Sequence, residues 1–162
     1  LGPNGTLFGH LSRANSQGQE SDPAVPALAI FTGPDAYISP SWYATKAQTH
    51  KVVPTWNYQA LHAYGEIEFF DDAPALLALV SGLTDKHEAG RATPWAVSDA
   101  PADYIDAQLK GIVGFKLHIS RLDGVSKLSQ NKTPEDRRGV IEGLKKDGAA
   151  PERIIADLMS DK

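Results

Sequence analysis

Aromatic, hydroxyl and cationic side chains are concentrated in two short segments that resemble one another. Pro40-Ser41-Trp42-Tyr43 and Pro54-Thr55-Trp56-Asn57-Tyr58 flank a basic stretch that holds Lys46 and Lys51. Aromatic rings can cover a flat heterocycle, and a lysine beside hydroxyl groups can hold a phosphate through charge-assisted hydrogen bonds. The two segments therefore indicate a ligand that combines a flat aromatic ring with an anionic tail.

A structural role accounts for the same residues about equally well. Trp42 and Trp56 can be core residues and Lys46 a solvated helix residue, because aromatic side chains are often simply buried. A further group of polar residues, Lys127, Gln130 and Asn131, lies where the last predicted strand connects to the next helix. These side chains can reach a polar ligand, or the segment can be a solvated connector.

Catalytic residues are not identifiable from the sequence. The chain has no cysteine, no Gly-x-Ser-x-Gly nucleophile turn and no glycine-rich phosphate loop, which leaves hydrolase and nucleotide-triphosphatase functions without support. Its histidines lack the close spacing of metal ligands, so we predict no metal site. His10 and His62 are the only candidates for acid or base chemistry.

Length and charge limit the class of protein. The 162 residues suit a single domain over 1–162, and the formal charge of -4 provides none of the basic excess that drives binding to a nucleic-acid backbone. No apolar run approaches the roughly 18 residues of a membrane-spanning helix. The absence of cysteine fits a reducing compartment. We therefore expect a cytoplasmic protein without membrane contact.

The first part of the chain, 5–70, has the pattern of a β-rich body. A turn at Asn4-Gly5 leads into a predicted strand at 6–11, and a polar loop follows. Apolar runs at 27–31 and 36–39 predict a hairpin around Gly33-Pro34. Val52-Val53 and the stretch 58–70 are further strand candidates, with a bulge or bend at Gly65.

Helical patterns then replace the strands. Asp72-Ala73-Pro74 predicts the start of a helix, and a second helix follows Pro101, so that 72–110 form a helical insert. Strands return at 111–128, with a predicted turn at Asp123-Gly124. Thr133-Pro134 starts the first of two C-terminal helices within 133–160.

A series of motifs gives the chain a resemblance to a known family from about residue 5 to residue 144. The motifs resemble, in order, those of the PaiB family, described as FMN-binding negative transcriptional regulators with the split barrel of pyridoxamine-phosphate oxidases. They are Gly9-His10-Leu11-Ser12-Arg13-Ala14-Asn15, Ala29-Ile30-Phe31-Thr32-Gly33-Pro34, Ala36-Tyr37-Ile38-Ser39-Pro40-Ser41-Trp42-Tyr43, Val53-Pro54-Thr55-Trp56-Asn57-Tyr58, His62-Ala63-Tyr64-Gly65, Pro94-Trp95-Ala96-Val97-Ser98-Asp99-Ala100-Pro101 and Lys127-Leu128-Ser129-Gln130-Asn131.

The resemblance implies an α+β, mainly β fold: a split β-barrel with peripheral helices, with the N-terminal part of the barrel missing from this chain. It also implies a homodimer with FMN near the subunit interface. By motif position, Ser39, Ser41, Lys46 and Arg13 resemble the residues that hold the flavin phosphate. The other residues expected to bind the cofactor are Trp42, Tyr43, Thr55, Trp56, Asn57, Lys127, Gln130 and Asn131.

Three functions follow from the resemblance and the residues. The first is an FMN-binding regulator acting as a homodimer, although DNA binding rests on the family description alone and neither charge nor motif supports it. The second is a flavin-dependent oxidoreductase that acts on a small molecule with a nicotinamide as electron donor, since the cofactor would carry the chemistry. The third is an interaction module built on the barrel that binds no flavin.

Overall fold

Four strands and six helices make up the described part of the chain. A computed structural model describes residues 5–22 and 24–160. The strands form one sheet of order β1-β4-β3-β2, in which β1 is antiparallel to β4. Their bounds are β1 (Thr6–Ser12), β2 (Ala27–Ile38), β3 (Thr55–Phe70) and β4 (Ile112–Lys127). The helices are α1 (Gln17–Glu20), α2 (Thr45–Thr49), α3 (Ala73–Glu88), α4 (Ala102–Leu109), α5 (Pro134–Asp147) and α6 (Ala150–Ser160), with 3₁₀ turns at Pro40–Trp42 and Val97–Asp99.

The prediction of an α+β, mainly β fold is confirmed, because in the described residues a four-stranded antiparallel sheet is accompanied by six helices. The predicted helical insert and C-terminal helices are also present. Asp72 caps α3 by accepting a hydrogen bond from the backbone N–H of Ala75, and Thr133 caps α5 by accepting one from the backbone N–H of Asp136. These caps satisfy N–H groups that the first turn of a helix leaves free. That the chain forms one domain stays a prediction.

Two predicted turns are wrong, because the strands run straight through them. β2 is continuous through Gly33-Pro34, and β4 is continuous through Asp123-Gly124. β2 is an edge strand of the sheet, where a proline without an N–H group removes no essential ladder hydrogen bond. Gly33 also allows close contact with the backbone of Gln59, which a Cβ atom would approach to 3.1 Å.

Three smaller differences concern the loops. Val52-Val53 is not a strand but lies in the connection before β3, where Val53 is largely exposed. The predicted polar loop after β1 contains the short helix α1. The turn predicted at Asn4-Gly5 lies partly outside the described residues; Gly5 itself has a positive φ of 76°, which glycine adopts without strain.

The chain divides into two compact units, which we describe separately. The first unit comprises residues up to 28 together with 63–121, and the second comprises 29–62 together with 122–162. In the first unit, β1 pairs with the first half of β4, so that Thr6 faces His118. Leu76, Leu109 and Leu117 are its largest buried side chains. Apolar side chains of α3, α4 and β4 therefore supply this core.

The second unit has the larger buried core of the two. Alternate residues of β2 and the end of β4 contribute to it, and the remaining buried side chains come from Tyr43 and the two C-terminal helices. The core consists of Ala36, Ile38, Tyr43, Leu128, Val140, Leu144, Ile155, Ala156 and Met159. Because β-strand side chains alternate between faces, burying one face of β2 against α5 and α6 leaves the other face open.

Candidate functional site

The first of the two similar segments presents a small cluster of hydroxyl and ammonium groups. Ser39 caps the 3₁₀ turn, and its Oγ accepts a hydrogen bond of 3.2 Å from the backbone N–H of Ser41. Lys46 Nζ donates a hydrogen bond of 3.1 Å to Ser41 Oγ. A lysine ammonium has three N–H donors, so this contact leaves two donors that can bind an anion. Ser41 and Lys46 are both exposed.

Trp42 packs against helix α5, and a cofactor-binding role for it stays a prediction. The indole ring lies directly over Gly143, where a Cβ atom would overlap it, and a Cβ atom at Gly139 would overlap the main-chain carbonyl of Trp42. Partial burial of the ring follows from this contact. In the structure Trp42 therefore has a packing role, which is one of the two interpretations that the sequence allowed.

Tyr43 is buried in the core of the second unit. Within the described residues its hydroxyl has no hydrogen-bond partner, and Lys132 Nζ lies 4.7 Å from the centre of its ring. Burial, and to a lesser degree the carboxylate of Asp136, raise the pKa of the Tyr43 hydroxyl above its ordinary value. Tyr43 is therefore placed to pack rather than to titrate near neutral pH.

The second similar segment has the opposite arrangement, because its tryptophan is on the surface. Trp56 is 52% exposed and contacts Tyr37 edge to face, with ring centres 6.0 Å apart and planes at 73°. Tyr58, two residues further along β3, is also exposed. Alternation along β3 places Trp56 and Tyr58 on one face of the sheet. This open aromatic face, defined by Tyr37, Trp56 and Tyr58, can cover a flat ring.

A cation and a hydroxyl stand beside the open aromatic face. Lys127 Nζ donates a hydrogen bond of 2.8 Å to Thr55 Oγ1 and lies 5.9 Å from the centre of the Tyr58 ring. Thr55 begins β3 and Lys127 ends β4, so neighbouring strands bring together residues that are far apart in the sequence. The structure thus joins Thr55 and Lys127, two of the predicted cofactor-binding residues, next to the ring of Tyr58.

Asn57 lies on the buried face of β3 and already has partners. Its Nδ2 donates to Ser129 Oγ at 3.0 Å and to Met159 Sδ at 3.4 Å, and its Oδ1 accepts from Ser129 Oγ at 3.2 Å. Ser129 has a φ of 58°, a left-handed conformation uncommon for residues other than glycine. The amide of Asn57 therefore stabilises the turn after β4.

Gln130 and Asn131 occupy the same turn after β4. The Gln130 side chain accepts a hydrogen bond from the backbone N–H of Leu128 and donates one to the carbonyl of Ser126. Asn131 is exposed. Gln130 therefore closes the turn, while Asn131 remains accessible to solvent.

Arg13 belongs to the first unit, unlike the other predicted cofactor-binding residues. Its guanidinium donates hydrogen bonds of 3.1 Å to the carbonyls of Lys110 and Ile112, and it lies 3.7 Å from the Asp71 carboxylate. These contacts tie the end of β1 to the start of β4. A phosphate-binding role for Arg13 stays a prediction.

The two histidines considered for acid or base chemistry lie in different units. His10 is exposed on β1, and His62 is half-buried on β3 with partners of its own. In residues 5–22 and 24–160 no group of three His, Asp or Glu side chains is arranged to hold a metal ion. Over the same residues, no helix is long and apolar enough to cross a bilayer.

Sequence reasoning missed part of the open aromatic face. Tyr37 appears in the sequence analysis only within a motif and a predicted strand, and no role in the site is assigned to it. The signal was available: Tyr37 alternates with the core residues Ala36 and Ile38, which places it on the opposite face. Pairing of β2 with β3 then brings Tyr37 to Trp56.

The chemistry of these side chains fits FMN. FMN has a flat heterocycle and a phosphate, and the second unit offers an open aromatic face for the first and the free donors of Lys46 and Lys127 for the second. Serine and threonine hydroxyls stand next to both lysines. The side chains of the second unit thus fit a flavin-binding domain.

Comparison with known proteins identifies the family. Residues 1–121 match the family described as "Putative FMN-binding domain". The protease synthase and sporulation protein PAI 2 of Bacillus subtilis is 35% identical over 156 residues, covering 96% of this chain and 72% of that protein. A protein of Aspergillus fumigatus is 37% identical over 190 residues, covering 98% of this chain and 73% of its own length. The chain therefore belongs to the PaiB family of FMN-binding domains, and its cofactor is FMN.

Among solved structures, the flavocytochrome Anf3 from Azotobacter vinelandii aligns with a TM-score of 0.47 at 13% identity. The alignment covers 82% of this chain and 56% of the Anf3 chain.

Proposed function

We propose that the chain is an FMN-binding regulatory protein of the PaiB type that acts as a homodimer in the cytoplasm. One observation carries the proposal: the second unit combines an open aromatic face with two lysines that each contact a hydroxyl group. In the proposed site, Trp56 and its neighbours cover the flavin ring, while Lys46 and Ser41 hold the phosphate. Bound FMN supplies redox chemistry.

The phosphate role of Lys46 is tested by comparing two ligands. Riboflavin has the same ring as FMN but no phosphate. Lys46→Ala is therefore expected to weaken FMN binding about tenfold or more, because one charge-assisted hydrogen bond to the phosphate is lost, and to leave riboflavin binding unchanged. Flavin fluorescence quenching measures both dissociation constants. Lys51→Ala is the matched control, because Lys51 is exposed in the same basic stretch. An equal loss of affinity for FMN and riboflavin would show that Lys46 does not bind the phosphate.

A homodimer is supported by the exposed apolar surface of the second unit. Val125 precedes Lys127 by two residues on β4, so alternation places it on the same face of β4 as that lysine, and it is exposed. Val125→Glu is expected to shift sedimentation toward the monomer, whereas Val25→Glu, at an exposed loop position of the first unit, leaves it unchanged. An identical shift for the two variants, or none for Val125→Glu, would speak against this surface.

Regulation is favoured over direct reading of DNA bases. The chain carries a formal charge of -4. On α5, Arg137 is committed internally, because it donates hydrogen bonds to the carbonyls of Leu128 and Met159 at 2.8 and 3.0 Å. We therefore propose that the flavin state alters the dimer or a partner complex.

A flavin-dependent oxidoreductase is the second candidate, and an open groove favours it. The groove of about 540 Å³ lies in the second unit and is lined partly by Phe31, Gln59, Leu61 and Val125, which offers a small molecule an apolar wall and one amide. Adding NADH anaerobically to the FMN complex separates the two functions. Bleaching of the flavin absorbance indicates an oxidoreductase, and an unchanged band supports the regulator.

A further inference from the structure

We infer that helix α5 positions the phosphate-binding groups of Ser41 and Lys46 through Asp136, Gly139 and Gly143. This inference rests on the proposed function of Lys46 and Ser41. Helix α5 lies at Pro134–Asp147, beyond residue 121, where the family match ends. None of these three residues would contact the ligand, so they are positioning residues.

The first anchor is a buried carboxylate at the start of α5. Asp136 Oδ1 accepts a hydrogen bond of 2.9 Å from the backbone N–H of Thr45, and Oδ2 accepts one of 2.8 Å from Thr45 Oγ1. Asp136 is only 5% exposed. A buried carboxylate must keep its partners, because leaving it without them is costly. Thr45 immediately precedes Lys46, so the anchor fixes the backbone that carries the ammonium group.

The second anchor is the contact of Trp42 with two glycines on one face of α5. Gly139 and Gly143 are four residues apart, which places them on the same side of the helix. A Cβ atom would overlap the main-chain carbonyl of Trp42 at Gly139 and its indole ring at Gly143. Glycine is unfavourable inside helices, so its presence at both positions indicates that the close contact matters.

The two anchors hold both ends of the phosphate-binding turn. Trp42 follows Ser41 directly, and Thr45 precedes Lys46 directly. The hydrogen bond of 3.1 Å between Lys46 Nζ and Ser41 Oγ spans the turn between the anchors. Holding the binding groups in place before the ligand arrives lowers the ordering cost of binding. Loosening either anchor should therefore weaken phosphate binding without changing any group that touches the phosphate.

The charge of Asp136 makes the inference sharply testable. Asp136→Asn keeps the shape of the side chain but replaces one acceptor oxygen with an amide nitrogen, which opposes a donor of Thr45. If Asp136 acted only through its negative charge, removing that charge would reduce its repulsion of the FMN phosphate, and FMN would bind more tightly. Positioning predicts the opposite sign. A merely structural role predicts equal loss of FMN and riboflavin.

The experiment measures the dissociation constants of FMN and riboflavin by fluorescence quenching for the full chain and for the variants Asp136→Asn, Gly139→Ala, Gly82→Ala and Lys46→Ala. Asp136→Asn and Gly139→Ala are expected to weaken FMN binding about tenfold, which corresponds to losing one charge-assisted hydrogen bond to the phosphate. The dissociation constant of riboflavin should stay within about twofold of its original value. Gly82→Ala is the control, because a Cβ atom at Gly82 meets nothing within 4 Å. Thr45→Val, which removes only the Oγ1 contact, replaces Asp136→Asn if that variant does not fold.

Measuring Lys46→Ala in the same experiment distinguishes failure of the positioning role of α5 from failure of the proposed phosphate site. If Lys46→Ala selectively weakens FMN but the α5 variants leave FMN unchanged or bind it more tightly, the phosphate site stands and the positioning role of α5 is overturned. If the α5 variants weaken FMN and riboflavin equally, the positioning role is likewise overturned. If Lys46→Ala has no selective effect, the proposed phosphate site and the inference fail together.

Discussion

Two segments with nearly the same residue types have opposite roles in this protein. In the segment Pro40-Ser41-Trp42-Tyr43, the tryptophan packs against α5 and the tyrosine is buried. In the segment Pro54-Thr55-Trp56-Asn57-Tyr58, the tryptophan and tyrosine are exposed, and the asparagine between them is buried. The first segment is a turn and the second begins a strand.

Secondary structure is the source of this difference. A strand sends alternate side chains to opposite faces, so Trp56 and Tyr58 share the open face while Asn57 enters the core. The turn has no such alternation, and its ring positions are set by contact with the helix beneath it. Composition alone therefore identifies a region that matters but does not identify which ring is available to a ligand.

Replacing the two tryptophans tests the comparison most strongly. Trp42→Ala is expected to lower the free energy of unfolding by about 3 kcal/mol, because it removes a large ring packed on α5. Trp56→Ala should lower it by less than about 1 kcal/mol, since Trp56 is 52% exposed and is not part of the buried core. Chemical denaturation measures both. Similar losses for the two variants would contradict the assigned roles.

The buried amide of the second segment gives the next largest effect. Asn57→Ala is expected to cost about 2 kcal/mol of unfolding free energy, because Ser129 loses its partner at a left-handed backbone position. Asn131→Ala, at an exposed position, is the matched control and should change stability little. Urea unfolding is the measurement, and a loss no greater than that of the control would contradict the structural role of Asn57.

The exposed tryptophan should matter for flavin rather than for stability. Trp56→Ala is expected to weaken FMN and riboflavin alike, by about three- to tenfold, because the two ligands share the ring that an aromatic side chain would cover. Trp95→Ala provides a control with a tryptophan that is 45% exposed in the first unit, and should leave both dissociation constants unchanged. A loss confined to FMN would instead place Trp56 near the phosphate.

The smallest effect is expected at the buried tyrosine. Tyr43→Phe removes a buried hydroxyl that has no partner among the described residues, so stability should stay constant or rise by about 1 kcal/mol. Burial, followed by Asp136, raises the pKa of Tyr43 above 10.0 in the folded state. The unfolded chain then releases this proton first, and stability falls as pH rises above about 10.

Tyr43→Phe should reduce that alkaline decline, and Tyr58→Phe, at an exposed tyrosine of the second segment, should not. Thermal unfolding at a series of alkaline pH values is the measurement. An undiminished decline in Tyr43→Phe would assign the alkaline effect to other groups.

Much of the fold was predictable because it depends on local signals. Helix starts at Asp72 and Thr133 were recognised from a capping side chain followed by proline, and both caps are present. The turns at Gly33-Pro34 and Asp123-Gly124 were predicted wrongly because local turn preference takes no account of pairing with a neighbouring strand. At the sheet edge, β2 tolerates Pro34, so the local preference for a turn is overridden by strand pairing.

The candidate site was predictable in residue type but not in arrangement. The family resemblance placed Ser41 and Lys46 together at the flavin phosphate, and the structure brings the two side chains into hydrogen-bond contact. The contact of Lys127 with Thr55 was not visible in the sequence, because 72 residues separate them. The role of Asp136 was also missed, since a carboxylate in the first turn of a helix has a sufficient local explanation in the helix dipole.

The sequence by itself determined the family, the FMN cofactor, the α+β class and the region where aromatic rings meet cations, because these depend on motifs and residue types. Tertiary structure alone decided that Trp42 is packed against α5 while Trp56 is exposed, that Asn57 is buried against Ser129, and that α5 contacts the turn between Ser41 and Lys46. The physical reason is that burial and hydrogen-bond partners are set by strand pairing and helix packing. Both join residues that sequence spacing does not relate.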